Sequence, residues 1–181
     1  VENIEFTTPK PAMVFFFGGG WVGGTTQQFA PHADYFSKRG ITCFLVEYRV
    51  KNSHGTSPFE SLKDAKSAIR FIRENAQKFQ IDPNKIIASG GSAGGHLAAA
   101  TALTKGFNES SDNLSTSCIP NALVLFNPVF DNGPGGYGFE RIGQSFKEFS
   151  PLHNIKKDAP PTIVFLGTND NLIPVETAQY Y

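Results

Sequence analysis

The stretch Gly90-Gly91-Ser92-Ala93-Gly94 stands between a short apolar run, Lys85 to Ala88, and a run of residues that favour helices, His96 to Leu103. A serine at the turn from a strand into a helix has a strained backbone, and glycines two places before and after it let strand and helix approach closely. Both glycines are present here. The turn also directs the serine hydroxyl away from the sheet and aims helix N–H groups at an oxyanion formed beside it. The stretch therefore predicts a nucleophile elbow between a strand and a helix.

Strands and helices alternate on both sides of the elbow. Continuous apolar runs predict buried parallel strands, and apolar residues three or four places apart predict helices. The predicted strands are Pro11 to Phe17, Thr42 to Tyr48, the strand that carries the elbow, Ala122 to Phe126 and Thr162 to Leu166. The predicted helices are Gln27 to Lys38, Ser57 to Phe79 and Ala93 to Leu103, with a turn at Asp82-Pro83 and polar or glycine-rich loops at Asn108 to Ser117 and Asn132 to Gly138. This alternation predicts one α/β domain over residues 1–181, with a parallel sheet and a site along the carboxyl ends of its strands.

The charge pattern argues against a polyanion or a membrane as the partner. The chain has 16 basic and 16 acidic side chains, and its longest basic run is the pair Lys156-Lys157. Nucleic acid is therefore not an expected partner. No apolar stretch approaches the about 18 residues that a membrane-spanning helix needs, and no signal peptide is visible.

Cysteines and cofactor motifs add little to the prediction. Cys43 lies in an apolar run, which favours a free buried thiol over pairing with Cys118 and leaves the redox compartment and the localisation open. Neither a zinc-ligand spacing nor a phosphate-binding Gly-x-x-x-x-Gly-Lys motif is present. We therefore expect no metal and no cofactor.

A second glycine cluster, Gly18-Gly19-Gly20, follows the first predicted strand. With Gly23 it fits the Gly-x-Gly-x-x-Gly pattern of dinucleotide-binding folds, and Glu47 could contact a ribose. Against that interpretation, Trp21 is bulky where a pyrophosphate would approach, and Glu47 lies further along the chain than the usual spacing. As an oxyanion loop, the cluster instead presents bare backbone N–H groups toward the carbonyl that Ser92 would attack. Dinucleotide binding stays open as an alternative.

Four segments spread over the chain share one order with a known superfamily. They are Phe17-Gly18-Gly19-Gly20-Trp21, Glu47-Tyr48-Arg49, Gly90-Gly91-Ser92-Ala93-Gly94-Gly95-His96 and Gly167-Thr168-Asn169-Asp170. Together they resemble the α/β-hydrolases, and among them the hormone-sensitive-lipase-like carboxylesterases, including bacterial acetyl-ester hydrolases that act on carbohydrates. The resemblance implies the α/β-hydrolase fold, a mostly parallel sheet with helices on both faces.

The resemblance also implies roles for single residues. Ser92 would be the nucleophile, Asp170 the acid that orients the base, and the N–H groups of Gly19, Gly20 and Ala93 the oxyanion hole. The chain departs from the family pattern at two positions. Phe17 stands where the oxyanion motif usually opens with histidine, and Gly91 stands where an acidic residue often precedes the serine.

The catalytic histidine is the part of the pattern that is missing. The resemblance implies a histidine a few tens of residues after the acid, but His32, His54, His96 and His153 all precede Asp170. We interpret His96 and His153 as structural, and His32 and His54 as solvated surface residues. The family also places earlier strands and a cap segment before its oxyanion loop. We therefore expect the 181 residues to be the centre of a longer chain, cut at both ends, whose C-terminal part brings the histidine.

Two further sets of residues are candidates for the site. Asp131 is an alternative acid because it follows the strand that ends at Phe126, although it could simply cap the glycine-rich turn after it. Trp21 and Phe130 are candidates to line a substrate pocket, as are the phenylalanines at 15, 16, 17 and 126. Phenylalanines in apolar runs are more often core residues.

These observations predict a serine carboxylic-ester hydrolase with a Ser-His-Asp triad and an acyl-enzyme intermediate. The absence of a visible hydrophobic cap favours short acyl groups such as acetyl, and carbohydrate esters as substrates rest on the resemblance. Two alternatives stay open: a non-catalytic hydrolase-like binding module that lacks the histidine, and a dinucleotide-binding protein that uses Gly18, Gly20 and Gly23. The sequence does not predict an oligomeric state.

Overall fold

A single sheet of five strands organises the chain, for which a computed structural model describes residues 8–181. The strands are β1 Lys10–Phe16, β2 Thr42–Val46, β3 Ile81–Gly91, β4 Ala122–Phe126 and β5 Thr162–Phe165. They lie in the order β2-β1-β3-β4-β5, and every neighbouring pair is parallel. The predicted parallel α/β sheet is confirmed.

Eight helices connect or flank these strands within the described residues. They are α1 Ala30–Ser37, α2 Lys51–His54, α3 Pro58–Glu74, α4 Ala76–Phe79, α5 Ala93–Leu103, α6 Phe139–Ile142, α7 Phe146–Phe149 and α8 Val175–Tyr180, with 3-10 turns at Thr26–Phe29, Gly143–Ser145 and Pro151–Asn154. The predicted helix after the elbow is confirmed at both ends. The short helices α2, α6, α7 and α8 carry too few periodic residues to be predicted from the sequence.

Two predicted boundaries differ from the structure for local reasons. The helix predicted over Ser57 to Phe79 is two helices with a break at Asn75, whose φ of −100° and ψ of 21° are not helical and whose side chain donates to the Phe71 carbonyl. The turn predicted at Asp82-Pro83 lies within β3, where the pairing with β1 shifts between Lys10 and Ala12. The proline is thus accommodated in an irregular part of the strand.

Helices cover both faces of the sheet, as the resemblance implied. Successive side chains of β1 point to opposite faces. Ala12, Val14 and Phe16 belong to the larger core cluster, which includes residues of α3 and α5, whereas Met13 and Phe15 belong to a smaller cluster with the segment around α1. Because β1 is buried on both faces, its sequence is continuously apolar rather than alternating.

The strand register aligns the carboxyl ends of four strands in one row. Phe16 pairs with Gly90, Gly91 pairs with Phe126, and Phe126 pairs with Phe165. The first glycine loop, the elbow, the loop around residues 127–137 and the loop that carries Asp170 therefore all leave the sheet at the same edge. This row positions the candidate site.

Two chemical features complete the description of the fold. Both cysteines are free thiols, and partial burial raises the pKa of Cys43. No helix among residues 8–181 is long and apolar enough to cross a membrane.

Candidate active site

Ser92 has the strained backbone of a nucleophile elbow. Its φ is 52° and its ψ is −119°, a conformation that costs a non-glycine residue roughly 1–3 kcal/mol. Hydrogen bonds on both sides hold it there. The N–H of Ser92 donates to the Phe126 carbonyl at 3.0 Å, and the Ser92 carbonyl accepts from the N–H groups of His96 and Val129 at 3.0 and 3.2 Å. The elbow is thus tied to both α5 and the loop after β4.

The glycines around the serine are required by close backbone approach. A Cβ atom on Gly94 would lie 2.0 Å from the carbonyl oxygen of Phe16 and 2.4 Å from that of Phe17. A Cβ atom on Gly90 would lie 2.4 Å from the carbonyl oxygen of Gly94. These neighbours are backbone atoms, so no side-chain rotation can relieve the clash. The first turn of α5 therefore packs directly against the end of β1.

The first glycine loop lies beside the serine. A Cβ atom on Gly18 would be 3.3 Å from the Cβ of Ser92. The carbonyl of Gly19 accepts hydrogen bonds from the N–H groups of Val22 and Gly23 at 3.0 and 3.2 Å. Because a peptide group is planar and trans, these bonds turn the N–H of Gly20 to the opposite side. Within residues 8–181, the N–H groups of Gly19, Gly20 and Ala93 donate to no backbone carbonyl.

The loop geometry differs from that of a dinucleotide fingerprint. In that motif the glycines lead directly into a helix whose N-terminus faces the pyrophosphate. Here the loop folds back on itself, since a Cβ atom on Gly19 would lie 2.0 Å from the Gly23 carbonyl oxygen. The next helical residues begin only at Thr26, as a 3-10 turn. The glycine cluster is therefore built to expose N–H groups beside Ser92.

Tyr48 packs against Phe17, the residue that leads into the glycine loop. Its hydroxyl donates to the carbonyl of Phe17 at 2.6 Å, and its ring stacks on the Phe17 ring with centroids 4.2 Å apart. Burial raises the pKa of Tyr48, so the hydroxyl keeps its proton and remains a donor. Next to it, Arg49 forms a bidentate pair with Asp64 on α3. Tyr48 and Arg49 thus have structural roles next to the glycine loop.

Tyr137 and Arg141 contact the glycine loop from the outside, and sequence reasoning missed both. A Cβ atom on Gly20 would lie 2.8 Å from the Tyr137 hydroxyl and 3.1 Å from Nη1 of Arg141. Arg141 also donates a hydrogen bond from Nη1 to the Gly20 carbonyl and lies over the Trp21 ring. No sequence signal connects these residues to the loop, because they come from a distant segment of the chain.

The two candidate pocket residues line different cavities. Trp21, 1% exposed, contributes to a cavity of about 230 Å³ together with Thr56 and Arg141. Phe130, fully buried, contributes to another cavity of about 230 Å³ between the loops that follow β4 and β5. The phenylalanines at 15, 16 and 17 are core residues, while Phe126 lines an apolar groove beside α1.

Asp170 and Asp131 differ in how they are held. Oδ1 of Asp170 accepts the N–H groups of Leu172 and Ile173 at 2.8 and 2.9 Å, so the turn after β5 fixes this carboxylate through one oxygen. Oδ1 of Asp131 accepts the N–H of Gly133 at 2.8 Å, which is the turn cap that the sequence offered as its alternative role. The same oxygen lies 3.9 Å from Nδ1 of His153.

The four histidines occupy distinct environments. His96 is completely buried in α5, and burial lowers its pKa to about 3 despite contacts with the Phe149 carbonyl and the Asn132 side chain. His153 pairs loosely with Asp131, and His54 ends α2 with Nδ1 accepting the N–H of Val50 at 3.2 Å. The expectation for His32 is wrong: it is not a solvated residue but packs against the rings of Phe15, Phe29 and Phe126. The apolar face of the sheet extends further under α1 than the sequence indicates.

No group of three or more histidine, cysteine, aspartate or glutamate side chains within residues 8–181 is arranged to hold a metal ion. The groups of the candidate site are the Ser92 hydroxyl, the backbone N–H groups beside it and the carboxylates of Asp170 and Asp131.

Comparison with known proteins identifies the family. Residues 3–130 match the BD-FAE family. The chain belongs to the BD-FAE family. This family consists of α/β-hydrolase esterases, so the predicted fold and superfamily are confirmed.

Several curated relatives of this BD-FAE chain are esterases. Esterase LipC of Mycobacterium tuberculosis is 30% identical over 197 residues, which cover 97% of this chain and 48% of LipC. The acetylxylan esterase of Xylanibacter ruminicola is 28% identical over 189 residues, which cover 94% of this chain and 36% of that protein. The chain thus spans about half, or less, of the length of these curated relatives.

A solved esterase matches the structure closely. Thermogutta terrifontis esterase 2, phosphoramylated by tabun, matches with a TM-score of 0.91 at 42% identity, covering 97% of this chain and 67% of that chain. The same esterase with butyrate bound gives a TM-score of 0.89 at 39% identity, covering 99% of this chain and 69% of that one.

Proposed function

We propose that this BD-FAE chain carries the nucleophile of a serine carboxylic-ester hydrolase, and that Ser92 is that nucleophile. The observation that supports this most strongly is the combination of the left-handed backbone of Ser92 with a glycine loop packed against its Cβ. Such an arrangement exposes a hydroxyl and unpartnered N–H groups to the same small volume. The phosphoramylation of Thermogutta terrifontis esterase 2 by tabun is consistent with a reactive nucleophile in that protein.

The proposed reaction has two steps. A histidine base takes the proton of the Ser92 hydroxyl, whose oxygen attacks the ester carbonyl carbon; the tetrahedral oxyanion is bound by the N–H groups of Gly19, Gly20 and Ala93. Collapse breaks the bond to the alcohol, which leaves with the proton from histidine. Water then attacks the acyl-enzyme by the same route and releases the acid.

Asp170 is the proposed partner of the base. One of its oxygens is held by two backbone N–H groups, which leaves the other oxygen able to accept from an imidazole. Asp131 is the less favoured acid because the family resemblance places the acid after the later strand, in the segment that contains Asp170, whereas Asp131 caps the turn at Gly133. To separate them, Asp170→Asn and Asp131→Asn are compared in the whole protein. We expect Asp170→Asn to lower kcat about 10⁴-fold, as in other triads, and Asp131→Asn to have a far smaller effect.

The base itself is proposed to be a histidine outside residues 1–181. His96 is buried with Nε2 against a backbone carbonyl, His32 packs against three rings, and His54 bonds a backbone N–H. The relatives also extend well beyond the aligned region. A whole protein in which every histidine outside this region can be replaced without loss of hydrolysis would contradict this assignment.

Short acyl esters are the proposed substrates, with acetylated carbohydrates as a candidate class. The acetylxylan esterase among the relatives and the butyrate complex of the structural neighbour support small acyl groups. A series of p-nitrophenyl esters from acetate to decanoate, with Ser92→Ala as the control, tests the acyl preference. Release of acetate from acetylxylan tests the carbohydrate part independently. Carbohydrate binding without turnover would favour the non-catalytic binding module.

A further inference from the structure

Trp21 follows the proposed oxyanion glycines and is the one tryptophan of the chain. It is 1% exposed, and its indole Nε1 is buried with no hydrogen-bond partner among residues 8–181. A buried N–H donor without an acceptor is unfavourable, and native proteins rarely leave one. We therefore expect a hydrogen-bond acceptor for the indole N–H close to the glycine loop.

His96 supplies a matching acceptor on the first turns of α5. Its Nε2 lies 3.2 Å from the carbonyl oxygen of Phe149. We assign the single proton of the neutral imidazole to Nε2, because a carbonyl can only accept. Nδ1 then carries a lone pair, and it too is buried without a partner among the described residues. Complete burial keeps the ring neutral, with its pKa lowered to about 3.

The two rings are already in contact. The Trp21 and His96 centroids are 5.1 Å apart, and the ring planes are nearly perpendicular at 88°. Two five-membered rings joined edge to edge by a straight hydrogen bond of ordinary length have their centres about 5 Å apart. The observed separation of the ring centres matches that spacing, so rotation of the rings can bring the indole donor to the imidazole acceptor.

We propose that the indole N–H of Trp21 donates to Nδ1 of His96 and that this bond fixes the oxyanion loop relative to the elbow. The bond joins the residue directly after Gly20 to the helix that begins directly after Ser92. His96 is thereby a positioning residue rather than a catalytic one. The structural part of this inference stands alone, whereas its effect on turnover rests on the proposed esterase function.

One other acceptor competes for the same donor. The side-chain oxygen of Asn132 is also buried without a partner among residues 8–181, while its nitrogen donates to the Tyr137 carbonyl at 2.8 Å. The Asn132 side chain also lies within hydrogen-bonding reach of His96, so a proton on Nδ1 bonded to Asn132 would remove the acceptor that Trp21 needs, whereas the ring contact of Trp21 is with His96. The experiment must therefore distinguish these two acceptors.

The direct test is nuclear magnetic resonance of the ¹⁵N-labelled whole protein. A nitrogen–nitrogen coupling across the hydrogen bond, between the indole nitrogen of Trp21 and Nδ1 of His96, is the expected result. The indole signal that disappears in a Trp21→Phe protein is assigned to Trp21. If no coupling is found and Asn132→Ala shifts the indole proton more than substitution of His96 does, the donor belongs to Asn132 and the proposal is wrong.

A matched pair of variants tests the positioning role. Asparagine places its terminal atoms near the position of Nδ1, whereas glutamine reaches the position of Nε2. We expect H96Q to lose the indole hydrogen bond and to lower kcat about tenfold with little change in KM, because an oxyanion interaction acts mainly in the transition state. H96N should retain the indole hydrogen bond and have a kcat several times higher than that of H96Q, although it loses the contact with Phe149.

Thermal unfolding of both variants separates positioning from stability. A merely structural role predicts that kcat follows stability, so that the variant with the lower Tm is also the slower one. Equal kcat in H96Q and H96N, with the indole bond lost in only one of them, would overturn the positioning role. If the wild-type protein hydrolyses no ester, the esterase proposal fails, while the nitrogen–nitrogen coupling still tests the Trp21–His96 bond.

Discussion

The substitution Gly94→Ala tests how the elbow is built. The new Cβ atom would lie 2.0 Å from the Phe16 carbonyl oxygen, whereas the closest ordinary contact of a carbon with a carbonyl oxygen is about 3.3 Å. The start of α5 must therefore move by about 1 Å away from β1. Both partners are backbone, so the cost falls at the upper end of the usual overpacking range, about 3 kcal/mol. Alanine recovers about 1 kcal/mol through its higher helix propensity.

The expected net loss of about 2 kcal/mol corresponds to a fall in Tm of roughly 4–8 °C for a domain of about 150–250 residues. We expect kcat/KM to fall by up to about 100-fold, because a displacement of about 1 Å at a reacting group can cost that much in rate. Tm and kcat/KM for p-nitrophenyl acetate are the measurements. Gly167→Ala is the stability control, since no atom lies within 4 Å of its new Cβ atom. A Gly94→Ala protein with unchanged Tm and kcat/KM would refute the close-approach argument.

Two further predictions concern stability. Asp112→Ala should destabilise the protein by about 3 kcal/mol, because Arg70 would be left buried without its charged partner. The side chains of Arg70 and Asp112 are only 8% and 9% exposed, and urea unfolding measures the change. Asp34→Ala, which removes the exposed partner of Lys38, should change stability by less than about 1 kcal/mol, and equal effects of the two variants would contradict the burial argument. Wild-type protein should lose stability as the pH falls from about 6.5 toward 3, because the unfolded chain protonates His96 in that window and the folded chain, with its pKa lowered to about 3, does not. Above about pH 6.5 the contribution of His96 to stability is complete. His96→Asn should remove a slope of up to about 1.4 kcal/mol per pH unit from the free energy of unfolding plotted against pH. Identical slopes for both proteins would contradict the assignment of a buried neutral imidazole.

The sequence predicts well where one local rule decides the conformation. The glycines around Ser92 are required by backbone contacts that leave no room for a Cβ atom, so the elbow can be read from a few adjacent residues. The helix Ala93–Leu103 is likewise predicted at both ends, because the elbow fixes its start. The strand Lys10–Phe16 is predicted for a related reason, since its burial on both faces of the sheet requires a continuous apolar run.

The sequence predicts poorly where distant segments meet. Nothing in the local pattern connects Tyr137 and Arg141 to Gly20, and their contact depends on how the loop after β4 folds back over the site. His32 looks like a surface residue on a short helix, yet it is half-buried against three aromatic rings from the sheet and its flanking turn. The contact between Trp21 and His96 is another case, because each residue taken singly resembles an ordinary core side chain.

The central claim is that Ser92 is an activated nucleophile, and mass spectrometry of the whole protein treated with a fluorophosphonate tests it most directly. The account predicts one adduct per chain, mapped to the peptide that contains Ser92, and no adduct on the folded Ser92→Ala protein. An unlabelled wild-type protein of verified length, or an adduct on another residue, would contradict it.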